Sequence, residues 1–246
     1  MKQFILCQTF LCIAASSWAG TIILSGDSSI PSGTVPVSGG NAIFFNNVLG
    51  SGTNVLIQNL DSGTLLTANN FATYFNSLAG VTATTTSALS VTNLAGVNLF
   101  ISIVPHADYT AGQLAAMSSL LSGGGTLFLM GEAVGYSGGA IARPFLNNAL
   151  VALGSSMSIV GASDGVFPTN AIVVPNALTA GVGTFQYGFT SYVSGGTVLF
   201  KTAGGTAFIS AESTGTASTP EPGTVSMMLV GIFALATAGR KRSRIR

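Results

Sequence analysis

Five titratable residues follow segments of the sequence that are predicted to be buried strands: Asp27, His106, Asp108, Glu132 and Asp164. Ligands of an open parallel sheet collect beyond the carboxyl ends of its strands, so these side chains can meet at one edge. A cluster of this kind would bind a hard cation such as calcium or act as an acid/base pair. The sequence therefore contains a candidate ligand edge.

Each of these residues also has a purely structural interpretation. Asp27 and Asp164 lie among Gly and Ser, where an Asp side chain supports a turn. Glu132 is then a solvated loop residue. His106, which follows a proline, is an exposed or hydrogen-bonded loop residue. Asp108 or Thr110 is the natural N-cap of the helix that follows. On this second interpretation the edge holds separate turns rather than a site.

Other catalytic signatures are missing from the sequence. It contains no Gly-x-Ser-x-Gly, no His-Glu-x-x-His and no phosphate-binding loop. Both cysteines, Cys7 and Cys12, lie in a segment that is predicted to be removed, which would leave no thiol for catalysis or metal binding. We therefore predict no catalytic residue, no cofactor and no metal, and a protein that is not an enzyme.

The charge content excludes a further class of function. Only 6% of the 246 residues are charged, against about 25% in average soluble proteins. Eight Lys and Arg are nearly balanced by seven Asp and Glu, whereas a nucleic-acid surface needs clustered cations. We predict no nucleic-acid partner.

Hydrophobic periodicity predicts alternating strands and helices over the first two thirds of the chain. The predicted strands are 21–24, 54–58, 97–104, 126–130 and 157–160, with an extended segment at 81–87. The predicted helices are 41–49, 68–78, 110–121 and 140–153. Beyond Asn170, short β-runs separated by glycines predict antiparallel hairpins that close one edge of the sheet. The pattern indicates a three-layer α/β domain with a mainly parallel sheet.

The N-terminal segment has the layout of a secretory signal peptide. Lys2 precedes an uncharged apolar stretch, and the small residues Ser17 and Ala19 stand at the positions that a signal peptidase recognises. We predict cleavage between Ala19 and Gly20, with signal peptidase as the first partner of the chain.

The C-terminal segment has three parts in order: Pro220-Glu221-Pro222, an uncharged stretch at 223–239, and a basic tail at 240–246. Seventeen helical residues would span roughly 25 Å, slightly less than an average hydrocarbon core. The basic tail would stay cytoplasmic while the preceding domain is translocated. This arrangement resembles the PEP-CTERM sorting signal of Gram-negative bacteria. The resemblance implies recognition of the motif by an exosortase-type protease, a transient stay in the inner membrane, and release to the cell surface or an exopolysaccharide matrix.

A second resemblance concerns the stretch from Leu99 to Glu132. A buried strand, Tyr109-Thr110 at a helix start, and then Gly-Gly-Gly-Thr-Leu-Phe-Leu-Met-Gly are similar to a run in class I glutamine amidotransferase-like domains. This resemblance implies a flavodoxin-like fold. It does not imply the reaction, because those enzymes use a cysteine nucleophile that the processed chain would lack.

The predicted organisation is a signal peptide at 1–19, an α/β domain at 20–212, a Ser/Thr-rich linker at 213–219 and the sorting signal at 220–246. The leading hypothesis is an exported, non-enzymatic protein of the cell surface or exopolysaccharide. One alternative is a secreted enzyme or carbohydrate-binding module that uses the carboxylates of the ligand edge (Asp27, Glu132, Asp164) and His106. Another is a periplasmic domain that stays anchored by 223–239.

Overall fold

The computed structural model describes residues 20–30, 37–60, 65–135, 138–164 and 168–214, with the side chains of 162–164 excepted. The predicted signal peptide, the Pro-Glu-Pro motif, the apolar stretch 223–239 and the basic tail lie outside these residues. Among the described residues, no helix is long and apolar enough to cross a membrane.

An eight-stranded sheet forms the centre of the domain. Its spatial order is β3 (Thr82–Thr86), β2 (Asn54–Asn59), β4 (Leu99–Ile103), β5 (Thr126–Met130), β1 (Thr21–Ser25), β12 (Ala207–Ser213), β11 (Thr197–Lys201) and β8 (Ile172–Val173). The strands from β3 to β1 are parallel, and β12, β11 and β8 continue the sheet in antiparallel fashion. The prediction of a mixed α/β fold with a mainly parallel sheet and antiparallel hairpins at one edge is confirmed.

Four α-helices connect the strands within the described residues. They are α1 (Gly39–Leu49), α2 (Leu65–Asn76), α3 (Ala111–Ser122) and α4 (Gly139–Ala152), and 3₁₀ turns occupy Val91–Leu94 and Ala177–Thr179. Of the two predicted N-caps of α3, Thr110 is the one used. Its hydroxyl accepts a hydrogen bond from the Gln113 backbone, and the Gln113 side chain accepts one from the Thr110 backbone.

The strand register separates the two faces of the sheet. Ile57, Ile101 and Phe128 share one face, where Phe44 and Phe45 of α1 pack against Phe128 with ring centroids 6.2 and 5.7 Å apart. The opposite face carries Gln58 and Ser102, and the hydroxyl of Tyr109, just before α3, contacts the Ser102 hydroxyl. The sheet is therefore covered on both faces.

Two features of the C-terminal half differ from the sequence-based expectation. The strand predicted at 157–160, β6 (Ser158–Asp164), pairs with β10 (Thr190–Ser194) in a separate two-stranded sheet. Among the short β-runs predicted beyond Asn170, β9 (Gln186–Tyr187) pairs with β7 (Thr169–Asn170) in a further two-stranded sheet and not with the central one. The place beside β5 is taken by β1 and the next one by β12, so β6 cannot follow β5 as the next strand of the central sheet.

The position of β1 also sets this sheet apart from a simple doubly wound order. A flavodoxin-like sheet has the order 2-1-3-4-5, with the first strand inside it. Here β3, β2, β4 and β5 occupy the positions of strands 2, 1, 3 and 4 of that order. The first strand of this chain, β1, lies beside β5 in the position of strand 5. This placement makes β1 and β5 neighbours, and the candidate site depends on that contact.

Candidate functional site

The ends of β1 and β5 bring two of the predicted acids together. Ser25 and Met130 are paired across the two strands, and the Gly131 amide donates to the Ser25 carbonyl at 2.8 Å. Asp27 and Glu132 each follow two residues after this pair, at the carboxyl edge of the sheet. The two side chains interact electrostatically and form what we call the carboxyl pair.

Asp27 is fully enclosed, with none of its surface exposed. Its Oδ1 accepts hydrogen bonds from the Ser29 backbone and hydroxyl, both at 2.6 Å. Its Oδ2 accepts one from the Gly188 amide at 2.7 Å. Both carboxyl oxygens therefore have donors supplied by the protein itself.

Glu132 is also buried, with 5% of its surface exposed. The Ser28 hydroxyl donates to Oε2 at 2.6 Å, and the Ala133 amide donates to Oε1 at 2.7 Å. Ser28 is itself buried. Glu132 is therefore not the solvated loop residue that one interpretation of the sequence suggested.

Burial governs the ionisation of both groups. Desolvation raises the pKa of Asp27 to about 6, although hydrogen bonds from Ser29 and Gly188 act in the opposite direction. Desolvation, followed by the charge of Asp27, raises the pKa of Glu132 to about 8, and the Ser28 and Ala133 donors oppose this shift. Both shifts favour the protonated forms of the pair, and the shift is the larger one for Glu132. A carboxylic acid next to a carboxylate is the arrangement used in general acid/base chemistry.

A segment from the C-terminal half, residues 186–191, covers the carboxyl pair. Besides the Gly188 contact, the Ser191 hydroxyl donates to the Glu132 carbonyl and the Ser191 amide to the Gly26 carbonyl, each at 2.9 Å. At the other end of the segment, the Gln186 amide donates to Asn41 Oδ1 at 2.8 Å, and Asn41 Nδ2 donates to the Gln186 carbonyl at 2.9 Å. The covering segment is therefore fixed at both ends.

Gly26 makes this close cover possible. A Cβ atom at this position would lie 1.9 Å from the Ser191 carbonyl oxygen and 2.7 Å from its carbonyl carbon. No side chain fits there, because the obstacle is backbone rather than the end of a flexible group.

The remaining residues of the predicted ligand edge do not join the carboxyl pair. The chain turns at Val104, a buried residue with a φ of 46° that is unusual for a β-branched side chain. His106 and Asp108 then emerge exposed, and Asp108 Oδ1 accepts a hydrogen bond from the Asn148 side chain at 2.9 Å. Asp164 ends β6 opposite Thr190 of β10, and its side chain lies outside the described part of the structure.

The two expected geometries, a deep cleft of converging carboxylates and a set of separate turns, are thus each realised in part. Two carboxyls converge, but they are sealed from solvent. Calcium requires six to eight oxygen ligands, and across the described residues no group of three His, Cys, Asp or Glu side chains is placed to hold a metal ion.

A cavity of about 780 Å³ opens at the opposite, amino edge of the sheet. It is bounded by the residues that precede or begin the parallel strands, among them Thr21, Gly52, Asn98 and Thr126, and by Asn47 of α1. Among the residues that the structure describes, those lining the cavity include no acidic, basic or histidine side chain. Since a strand of five residues is about 17 Å long, this cavity lies far from the carboxyl pair.

Sequence reasoning did not identify the residues that fix the carboxyl pair, namely Ser28, Ser29, Gly188 and Ser191. The serines next to Asp27 were a usable local signal, because hydroxyls beside an acid commonly serve it as donors. Gly188 and Ser191 gave no such signal, since they are more than 150 residues away from Asp27 in the sequence.

Comparisons with known proteins add little to this geometry. No protein-family profile matches the chain, and no curated protein sequence matches it. Among solved structures, the chain is similar to one described as "mmIFT52 N-terminal domain", with 17% sequence identity and a TM-score of 0.45, over 59% of this chain and 76% of that chain. A similarity at this level assigns neither a family nor a function.

Proposed function

We propose that this chain is an exported, non-enzymatic protein of the cell surface or exopolysaccharide matrix, sorted through its C-terminal signal. One observation carries the non-enzymatic part. The carboxyl pair, where two acids converge, is sealed at the carboxyl edge, whereas the open cavity at the amino edge has a described lining without acidic, basic or histidine side chains. A catalytic site needs both reactive groups and access for a substrate, and here they are at opposite ends of the sheet.

The export part of the proposal depends on the two ends of the sequence. Pro220-Glu221-Pro222, the apolar stretch and the basic tail resemble a PEP-CTERM signal, and the first nineteen residues resemble a signal peptide. The proposed partners are signal peptidase, an exosortase-type protease, the inner membrane through 223–239, and exopolysaccharide. The processed protein would lie outside the cell.

The proposed N-terminal cut lies directly before a residue that is packed into the domain. Gly20 is buried, and its carbonyl accepts hydrogen bonds from the Thr214 amide at 2.9 Å and the Thr214 hydroxyl at 3.2 Å. A Cβ at Gly20 would lie 2.4 Å from the Leu121 carbonyl oxygen. The first residue after the proposed cut is thus already part of the packed domain.

Fractionation combined with intact-mass measurement tests the proposal. The full chain is produced in a cell that has an exosortase and in the same cell without it. We expect a surface product that begins at Gly20 and lacks 223–246 only where the exosortase is present. The double substitution Pro220→Ala with Pro222→Ala should retain the C-terminal segment, while Pro175→Ala, outside the motif, should be processed normally. Full-length wild-type protein in the inner membrane of the exosortase-positive cell would contradict sorting and support the permanently anchored alternative.

The carboxyl pair favours one alternative function, a secreted glycan-processing enzyme or carbohydrate-binding module. It would require residues 186–191 to move away from Asp27 and Glu132. Glu132→Gln removes the acidic proton while preserving the shape of the side chain. If wild-type protein cleaved or bound exopolysaccharide and this variant did not, the alternative would replace the non-enzymatic proposal.

We also propose that the fold is a variant of the flavodoxin-like class. The order of β3, β2, β4 and β5 and the cover on both faces of the sheet support this assignment. The placement of β1 in the fifth position is the departure from it.

A further inference from the structure

The central sheet also has two lateral edges, formed by its outermost strands β8 and β3. These lateral edges are protected in different ways. The edge at β8 is only two residues long, which by itself limits pairing with another strand. The edge at β3 is a five-residue strand, Thr-Ala-Thr-Thr-Thr, which among the described strands pairs only with β2. Threonine favours strands, so β3 is the edge at which another chain could add.

Charged side chains, the usual protection of such edges, are absent from the sequence on both sides of β3. Residues 62–107 contain no Asp, Glu, Lys or Arg. Proline, another common protection, does not occur in β3 either. A charge-poor sequence must therefore keep this edge unpaired by other means.

The register shows which groups of β3 point outward. Thr82 is paired with Asn54, and its amide donates to the Thr53 carbonyl at 2.8 Å. Backbone groups alternate in direction along a strand, so Thr82, Thr84 and Thr86 face β2. The amides and carbonyls of Ala83 and Thr85 consequently face away from the sheet.

The Asn76 side chain, at the last position of α2, satisfies both outward groups of Ala83. The Ala83 amide donates to Asn76 Oδ1 at 2.8 Å, and Asn76 Nδ2 donates to the Ala83 carbonyl at 3.0 Å. A primary amide presents one donor and one acceptor side by side, as a neighbouring strand would. The outward groups of the exposed Thr85 have no such partner among the described residues.

We propose that the Asn76 side-chain amide takes the place of a neighbouring strand beside Ala83 and so prevents the β3 edge from pairing with a second copy of this chain. A second copy is the relevant partner because its own β3 has the same length and the same uncharged sequence. Two such edges placed antiparallel would offer each other complementary rows of donors and acceptors. With Ala83 already bonded, only Thr85 remains available, and one residue is too few to hold a strand pair.

Hydrogen exchange in the full chain tests the first half of the proposal. In the wild type, the Ala83 amide should be protected although it faces away from the sheet. Asn76→Ala should accelerate its exchange by roughly tenfold, the factor that corresponds to one net hydrogen bond. The Thr84 amide, which faces β2, should change much less. Equal Ala83 exchange in the wild type and the variant would overturn the proposal.

Self-association of the same proteins tests the second half. Asn76→Ala should form additional dimers as its concentration rises, and the Thr85 amide should become protected in parallel. Asn69→Ala is the matched control, because Asn69 lies beside the same edge and its amide has no hydrogen bond to the described part of β3. If Asn76→Ala and Asn69→Ala sediment alike and Thr85 exchange does not depend on concentration, the edge is not adhesive and the proposal fails.

Two further variants keep the test decisive if Asn76→Ala loses stability. Asn76→Asp keeps the acceptor for the Ala83 amide and removes the donor to its carbonyl, so it should show an intermediate increase in association. Adding Thr85→Lys to Asn76→Ala places a charge on the edge and should restore the wild-type association state. Continued dimerisation of that double variant would place the contact elsewhere and overturn the proposal.

Discussion

The carboxyl edge and the amino edge of the parallel sheet differ in their side chains and in their access to solvent. The carboxyl edge has two acids with raised pKa values, but Asp27, Glu132 and the serines around them are enclosed by residues 186–191. The amino edge has a cavity of about 780 Å³ bounded by amides, hydroxyls, glycines and aliphatic side chains. In open α/β sheets the carboxyl edge is the usual place for a ligand. Here residues 186–191 cover that edge and are hydrogen-bonded to the Asp27 carboxylate and to the Glu132 backbone carbonyl.

Under the proposed non-enzymatic function, the carboxyl pair is a case in which a perturbed pKa does not by itself identify a reactive site. The pKa of Glu132 is raised because the fold buries it beside Asp27. Structural clusters perturb pKa values as active sites do. Access to solvent is the feature that separates the two cases.

The largest expected effect is the pH dependence of stability at the carboxyl edge. Both carboxyls have folded-state pKa values, about 6 and about 8, above those of ordinary Asp and Glu. Their contribution to stability is therefore complete below about pH 4 and is lost as pH rises through those values. We expect the free energy of unfolding to fall by on the order of 7 kcal/mol between pH 4 and pH 9, measured by urea denaturation.

Two variants serve as controls for this pH profile. Glu132→Gln should remove most of the loss above pH 6. Glu212→Gln should leave that loss unchanged. Although burial acts to raise the pKa of Glu212, hydrogen bonds from Ser155 and Ser156 lower it overall, so this group does not titrate in the alkaline range. A wild-type profile that stays flat from pH 5 to pH 9 would show that the pair is not buried as described.

The next largest effect concerns how closely residues 186–191 pack against Gly26. Gly26→Ala should destabilise the protein by about 3 kcal/mol, because the new Cβ meets the Ser191 backbone. Gly96→Ala is the counterpart at the amino edge, where φ is 73° and no atom lies within 4 Å of the added Cβ. Only the backbone strain of about 1 kcal/mol should appear there. Similar losses in thermal unfolding for the two variants would contradict the close cover.

A smaller effect distinguishes the substitution of Asp27 from that of Glu132 by their losses of stability. In Asp27→Asn, the new NH₂ group faces a backbone donor, either Ser29 or Gly188, and we expect a loss of about 2 kcal/mol. In Glu132→Gln, the oxygen can still accept from the Ala133 amide while the NH₂ donates to the Ser28 hydroxyl, so only the weaker contribution of the Ser28 backbone amide is lost. Denaturation at pH 6 should therefore find the second variant close to the wild type. Equal losses would mean that the hydrogen bonds of the pair are assigned wrongly.

The smallest effect belongs to the amino edge. Asn98 Oδ1 accepts hydrogen bonds from the Thr53 and Asn54 amides at 2.9 and 3.0 Å, in an exposed position. Asn98→Ala should lower the free energy of unfolding by about 1 kcal/mol, because water can replace part of this bonding. The slope of stability against pH should stay that of the wild type. A changed slope would show that the two edges are coupled.

Much of the fold was predictable from local patterns. The strand at 126–130 matches β5, and the helix predicted at 140–153 differs from α4 by one residue at each end. Buried strands and amphipathic helices have short sequence periods, so a window of about ten residues contains the signal. The site was predictable only in part: Asp27 and Glu132 meet as expected, whereas His106 and Asp108 do not reach them.

What the sequence determined by itself is the set of elements, the scarcity of charge and the predicted signals at both ends. Each depends on residues that are neighbours in the chain. Only the tertiary structure decided that β1 lies beside β5, that β6 leaves the central sheet, and that Gly188 closes over Asp27 from 161 residues away. These contacts arise from strand order and close backbone packing. Both depend on which distant segments compete for the same position, and no local pattern records that competition.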